Sequence, residues 1–166
     1  LANGCDGVAV LGTTGEANSF STRERLDVIA AAANSGIAKE KLLIGTGCCA
    51  PTDTIELTRA ALDAGFNQIL MLPPFYYKGV SDDGIFASFE HVIQQLADDR
   101  LRIVVYDFPL MTGLDISVDL LVRLNKAYPD TIVGVKDSSG NWPAMQAVIQ
   151  AIPGFRMFAG TEQYLL

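Results

Sequence analysis

Strand-like and helix-like segments alternate along the whole chain, and this alternation limits the possible folds more than any other feature. Val8-Ala9-Val10-Leu11 reads as a short buried strand, and the spacing of apolar residues from Thr22 to about Asn34 reads as a helix. A strand over Leu42 to Thr46 follows, then a helix from Thr52 to Ala64 that Gly65 ends at its C′ position. Gln68 to Leu72 is the third strand, and Ser81-Asp82-Asp83 caps a helix running to about Leu96. Arg102 to Tyr106 is the fourth strand, with a helix capped by Ser117 and running through Asn125 behind it. Thr131 to Lys136 is the fifth, a helix spans about Asn141 to Ala151, and Phe155 to Ala159 begins a sixth.

Strands alternating with helices of this length imply repeated βαβ units and a parallel sheet. The sheet is either open and doubly wound or closed into an eight-stranded barrel. The first strand–helix turn, Gly12-Thr13-Thr14-Gly15-Glu16, lacks the Gly-x-Gly-x-x-Gly of dinucleotide folds and the lysine of a phosphate loop. Uniform repeats favour the barrel. Six strands cannot close it, and such barrels take about 250 residues. Residues 1–166 are therefore expected to be part of a single (β/α)8 TIM-barrel catalytic domain, a fragment lacking the first strand and the C-terminal part. The start at Leu1-Ala2-Asn3-Gly4 and the end at Tyr164-Leu165-Leu166 both read as cut.

Apolar residues make up 49% of the 166, which suits a sizeable core, and the formal charge is −7. With no basic cluster, neither nucleic acid nor an acidic membrane surface is an expected partner. No apolar stretch approaches a membrane span. Cys5, Cys48 and Cys49 form neither a disulfide framework nor a metal-ligand spacing, which suits a reducing, cytoplasmic setting. Cys48 and Cys49 read as small buried fillers. His91, the one histidine, reads as an ordinary helix residue, and no metal site is expected.

Chemistry in a barrel collects at the carboxyl ends of its strands. Here those ends carry Gly12-Thr13-Thr14-Gly15-Glu16, Thr46-Gly47-Cys48-Cys49, Pro73-Pro74-Phe75-Tyr76-Tyr77, Tyr106-Asp107-Phe108-Pro109, Lys136-Asp137-Ser138-Ser139-Gly140 and Gly160-Thr161-Glu162. Lys136 ends a β-branched run, and alternation puts Ile132, Gly134 and Lys136 on one face. Two readings stand. An ammonium in poor solvent is relieved by a lowered pKa, giving a neutral amine that attacks carbonyls; or the head of the side chain snorkels to water. The hydroxyl residues are equally open. Thr13 and Thr14 could cap a helix start, Tyr76 and Tyr77 could pack under a loop, and Tyr106 could be core beside Val104. It is their coincidence at equivalent strand ends that points to carbonyl chemistry.

Taken in order, Gly12-Thr13-Thr14-Gly15-Glu16, Tyr76-Tyr77, Tyr106-x-x-Pro109 with Thr112-Gly113, and Gly134-Val135-Lys136 resemble the dihydrodipicolinate synthase / N-acetylneuraminate lyase superfamily of pyruvate-handling class I aldolases. The resemblance implies that Lys136 forms an imine with a 2-oxo acid and that Tyr106 moves protons beside it. It further implies that Thr13 links Tyr106 to Tyr77, which in this family reaches in from a neighbouring subunit. Thr14, with the backbone of Gly12 and Gly15, would hold the substrate carboxylate. No cofactor and no metal are implied; the partners are pyruvate and an aldehyde, and the protein would be a homo-oligomer, a dimer or tetramer. Two departures matter. Met111 stands where the lysine-biosynthesis members carry an arginine, and Asp107 replaces a common asparagine. The expected activity is therefore cleavage or formation of a 2-keto-3-deoxy sugar acid, with 4-hydroxy-tetrahydrodipicolinate synthase as the alternative. A non-catalytic barrel that binds 2-oxo acids is the rival from another class.

Overall fold

The computed structural model describes residues 1 and 3–164; the terminal readings that involve Ala2, Leu165 and Leu166 lie outside them. Six strands form one parallel sheet in sequential order: β1 (Val8–Val10), β2 (Leu42–Gly45), β3 (Gln68–Met71), β4 (Arg102–Asp107), β5 (Ile132–Asp137) and β6 (Arg156–Ala159). Between them run α1 (Thr22–Ala33), α2 (Pro51–Asp63), α3 (Asp82–Leu96), the short α4 (Pro109–Thr112), α5 (Val118–Ala127) and α6 (Trp142–Ala151). Sequential order, with a helix after each strand from β1 to β5, is the winding of a (β/α)8 barrel. The chain forms an open arc of that barrel.

Local chemistry sets the helix ends. Ser21 accepts a hydrogen bond from the backbone of Glu24, whose side chain reaches back to Ser21, so α1 starts on a capping box. Ser81 and Ser117 cap α3 and α5 in the same way, accepting from Gly84 and Leu120. At the end of α2, Gly65 adopts φ +89° and donates to the carbonyl of Leu62, while Phe66 donates to Ala61. That is a Schellman turn, and glycine meets its left-handed requirement without a Cβ penalty.

The sheet divides the apolar residues into two layers. Ile44, Ile69, Ile103, Ile132 and Val135 point outward into one buried cluster with Leu57, Phe89 and Leu120 from the helices. Burying each such side chain is worth about 1.5–3 kcal/mol. Leu70, Val104 and Tyr106 form a smaller cluster on the inner face, with Leu43, Leu72 and Val133 against it.

Three expectations are corrected here. The register slips between Ile103 and Val104: Ile103 pairs with Ile132, but Val104 pairs with Gly134. Val133 is the extra residue of a bulge, so Ile132 faces the helices instead of sharing the face of Lys136. The first strand is not buried, because β1 is an edge that pairs, among the described residues, with β2 alone; Val8 is 43% exposed. Cys49 is exposed, whereas Cys48 is buried and its sulfur accepts from Arg25 at 3.1 Å.

Candidate active site

Parallel pairing brings Tyr106 of β4 opposite Lys136 of β5. Alternation turns both side chains to the inner face, alongside Val104 and Gly134. The Lys136 ammonium or amine donates to the Tyr106 hydroxyl at 3.3 Å, and its Nζ lies 4.4 Å from the centre of that ring. On the other side, Thr13 Oγ1 lies 3.2 Å from the same hydroxyl, so Thr13, Tyr106 and Lys136 form one continuous polar chain. The Tyr106 ring is buried and packs at 5.7 Å, tilted by 32°, on Phe108. Lys136 is half-buried on the inner face of the arc. A buried phenol that positions an amine is a geometry suited to capturing a carbonyl.

The turn that carries Thr13 is tightly determined. Leu11 and Glu16 adopt φ of +58° and +53°, the left-handed region that non-glycine residues visit at a cost. Backbone bonds from Glu16 to Thr13 (2.9 Å) and from Ala17 to Gly12 (3.3 Å) close the turn. The close approach of β1 to β2 depends on Gly45, where a Cβ would collide with the carbonyl of Leu11. Thr13 and Thr14 are not helix caps, since α1 starts later on Ser21. The backbone N–H groups of Thr14 and Gly15 have no hydrogen-bond partner among the described residues. Thr14 and Gly15 are exposed and Gly12 is half-buried, in the same turn as Thr13 of the polar chain.

Tyr77 is placed differently. It is 76% exposed and meets the ring of Tyr76 edge-on at 5.2 Å, with no hydrogen bond to Thr13 of its own chain. Lys78 fixes this loop by donating to the carbonyls of Phe75 and Thr112, each at 2.5 Å. The loop is thereby tied to α4, whose Leu110 and Met111 are also exposed. Met111 offers no charged donor to an anion, as its place in the sequence implies.

Sequence reasoning named Asp107 without seeing its state. Its carboxyl is 5% exposed, Oδ1 has no partner, and burial, then Asp137, then Asp115 push it up to about 7. Lys78 was missed entirely; a lysine after two tyrosines carries no signal until the fold brings a helix end beside it. Among the described residues no group of three ligating side chains could hold a metal ion, and no helix is long and apolar enough to cross a membrane.

Comparison with known proteins agrees with the fold. The family model described as the dihydrodipicolinate synthetase family matches residues 1–166. A DapA-like lyase of Chloroflexus aurantiacus is 39% identical over 165 residues, 98% of this chain and 54% of that protein. The crystal structure of dihydrodipicolinate synthase from Agrobacterium tumefaciens superposes with a TM-score of 0.90 at 38% identity, covering 95% of this chain and 55% of that one. YagE of E. coli K12, solved in complex with pyruvate, gives a TM-score of 0.85 at 28% identity, over 96% of this chain and 53% of that one. The chain spans about half the length of the relatives it matches. A family match over the whole chain, together with these superpositions, shows that the chain belongs to the dihydrodipicolinate synthetase family.

Proposed function

We propose that this chain carries the Schiff-base centre of a pyruvate-dependent lyase that makes or breaks a carbon–carbon bond between pyruvate and an aldehyde. The observation that carries the reading is the chain of contacts from Thr13 through Tyr106 to Lys136. Lys136, as the free amine, attacks the 2-oxo carbon of the acid. Tyr106 delivers a proton to the carbinolamine oxygen and so assists loss of water, and Thr13 holds the phenol in line. The resulting imine withdraws electrons from the neighbouring methyl carbon, which gives up a proton to the Tyr106 phenolate and adds to an aldehyde as an enamine; cleavage runs the same steps in reverse. The unpartnered N–H groups of Thr14 and Gly15, with Gly12 beside them, suit the substrate carboxylate, because converging backbone donors favour an anion. The E. coli relative's complex with pyruvate supports a 2-oxo acid as ligand. The reaction as written needs no metal or organic cofactor.

The preferred second substrate is the aldehyde half of a 2-keto-3-deoxy sugar acid. Met111 lacks the forked donors that would grip the carboxylate of aspartate semialdehyde. The lysine-pathway synthase remains the second reading, favoured by the name of the Agrobacterium relative. Tyr77, exposed with Tyr76, Leu110 and Met111, fits an interface where a second copy brings its own Tyr77 to Thr13. The test is turnover by the intact protein. Pyruvate release from a panel of 2-keto-3-deoxy acids is expected. Condensation with aspartate semialdehyde alone would establish the synthase reading instead, and binding of 2-oxo acids without turnover of either would leave a non-catalytic binder.

A further inference from the structure

Asp107 and Asp137 immediately follow Tyr106 and Lys136 and are themselves partners in the β4–β5 register. Alternation turns their carboxyls to the opposite face of the sheet, toward α5 and α6. Each is 5% exposed. Together with Asp115, Ser117, Ser139 and Asn141 they line a cavity of about 200 Å³. The two carboxyls are unequally satisfied. Asp137 Oδ1 accepts from the backbone of Ser139 at 2.8 Å and from its hydroxyl at 2.6 Å, whereas Asp107 Oδ1 has no partner.

A buried carboxylate oxygen without a donor is costly, and two facing carboxylates more so. A metal ion does not resolve it, since the described side chains include no suitable ligand group of three. A proton does. The titratable groups bearing on Asp107 are Asp137 on β5 and Asp115 in the segment before α5, and both resist a second negative charge. The backbone N–H of Ile116 pulls the other way. α5 and α6 present uncharged Ser117, Leu121, Asn141 and Val148 to the cavity. The backbone ladder continues past the strands here, with Ser138 donating to the Asp107 carbonyl at 2.8 Å and Gly160 to that of Asp137 at 2.7 Å. Repulsion between the carboxylates therefore acts on the very strand ends that hold Tyr106 and Lys136 together.

We propose that Asp107 holds a proton beside the carboxyl of Asp137, and that this proton keeps the ends of β4 and β5 at the spacing that holds Tyr106 within reach of Lys136. Both are positioning residues. The kinetic consequence rests on the imine chemistry proposed above; the proton on Asp107 does not. When the proton leaves for solvent above neutral pH, the second charge spreads the strand ends and the phenol loses its contact with the amine.

Infrared titration of the intact wild-type protein reads the proton directly. The expected result is a carbonyl band of a protonated carboxylic acid at pH 6, lost with a midpoint near 7 and absent from D107N between pH 6 and pH 8. No such band at pH 6 would overturn the proposal. Borohydride trapping of pyruvate reads the consequence. Because an asparagine cannot ionise, the wild-type rate divided by the D107N rate is expected to fall about tenfold between pH 6 and pH 8, as one titrating group dictates. A ratio that does not change with pH overturns the positioning role even if the band is present. Failure to trap pyruvate on Lys136 at any pH overturns the imine reading and with it the kinetic consequence, while the infrared band still decides the proton on Asp107.

Discussion

A phenol hydroxyl held between a threonine and an amine can both orient the amine and exchange protons with what the amine attacks. Y106F keeps the buried ring and its contact with Phe108 but removes the hydroxyl that Thr13 and Lys136 meet. Its kcat is expected to fall about 10²- to 10⁴-fold, the usual size of a lost proton-transfer group, with circular dichroism unchanged. T13V removes only the support, so a loss of about tenfold, the worth of a single hydrogen bond to the phenol, is expected in the same assay. Asp107 leaves a separate mark on stability. Its folded pKa of about 7 lies above the ordinary carboxylate value, so the folded state binds the extra proton and stability falls as pH rises from about 4 to about 7. Urea unfolding is expected to show D107N losing less stability than wild type between pH 5 and pH 8, by about 3 kcal/mol at most. An equal loss in both would place the proton elsewhere.

Among the elements, α3 and α5 are joined directly because α4 is a single turn, too short to fill a helix position in the barrel. Ser117 makes the joint: its hydroxyl accepts from Leu120 at 3.0 Å and donates to Asp82 at the start of α3 at 2.5 Å. S117A removes the cap and the tie together, and a loss of about 1–2 kcal/mol in chemical denaturation is expected. Much at this scale was legible in the sequence. Serine caps, Gly65 and short continuous apolar runs set the strands and long helices to within a residue or two, because each signal is local. The bulge at Val133 was not legible, since a slip in register arises from the pairing of two strands and leaves the hydrophobic pattern of either unchanged. For that reason Ile132 was assigned to the wrong face while Gly134 and Lys136, beyond the bulge, were assigned correctly.

For the whole molecule, Lys78 ties together two segments that each expose apolar residues, Tyr76 and Tyr77 on one and Leu110 and Met111 on the other. A hollow of about 340 Å³ is lined by Tyr76, Tyr77, Pro74, Val80 and Ile85. Surfaces of this kind are covered in assemblies. If a second copy covers it, sedimentation velocity of the intact protein should show an oligomer that M111D dissociates, with lyase activity falling in step as the partner's phenol leaves Thr13. A variant that stays assembled and active would show that this face lies free. The sequence placed Tyr77 in the loop but could not tell which chain's site it serves, because that depends on a partner's position.

Lys136, steadied by Tyr106 on the inner face of the sheet, is expected to bond covalently to a 2-oxo acid. Incubation of the intact protein with pyruvate and borohydride, followed by peptide mass mapping, reads that bond. One reduced pyruvate adduct is expected on the peptide containing Lys136 and none in K136A. An adduct on another lysine, or no adduct where pyruvate demonstrably binds, would contradict it.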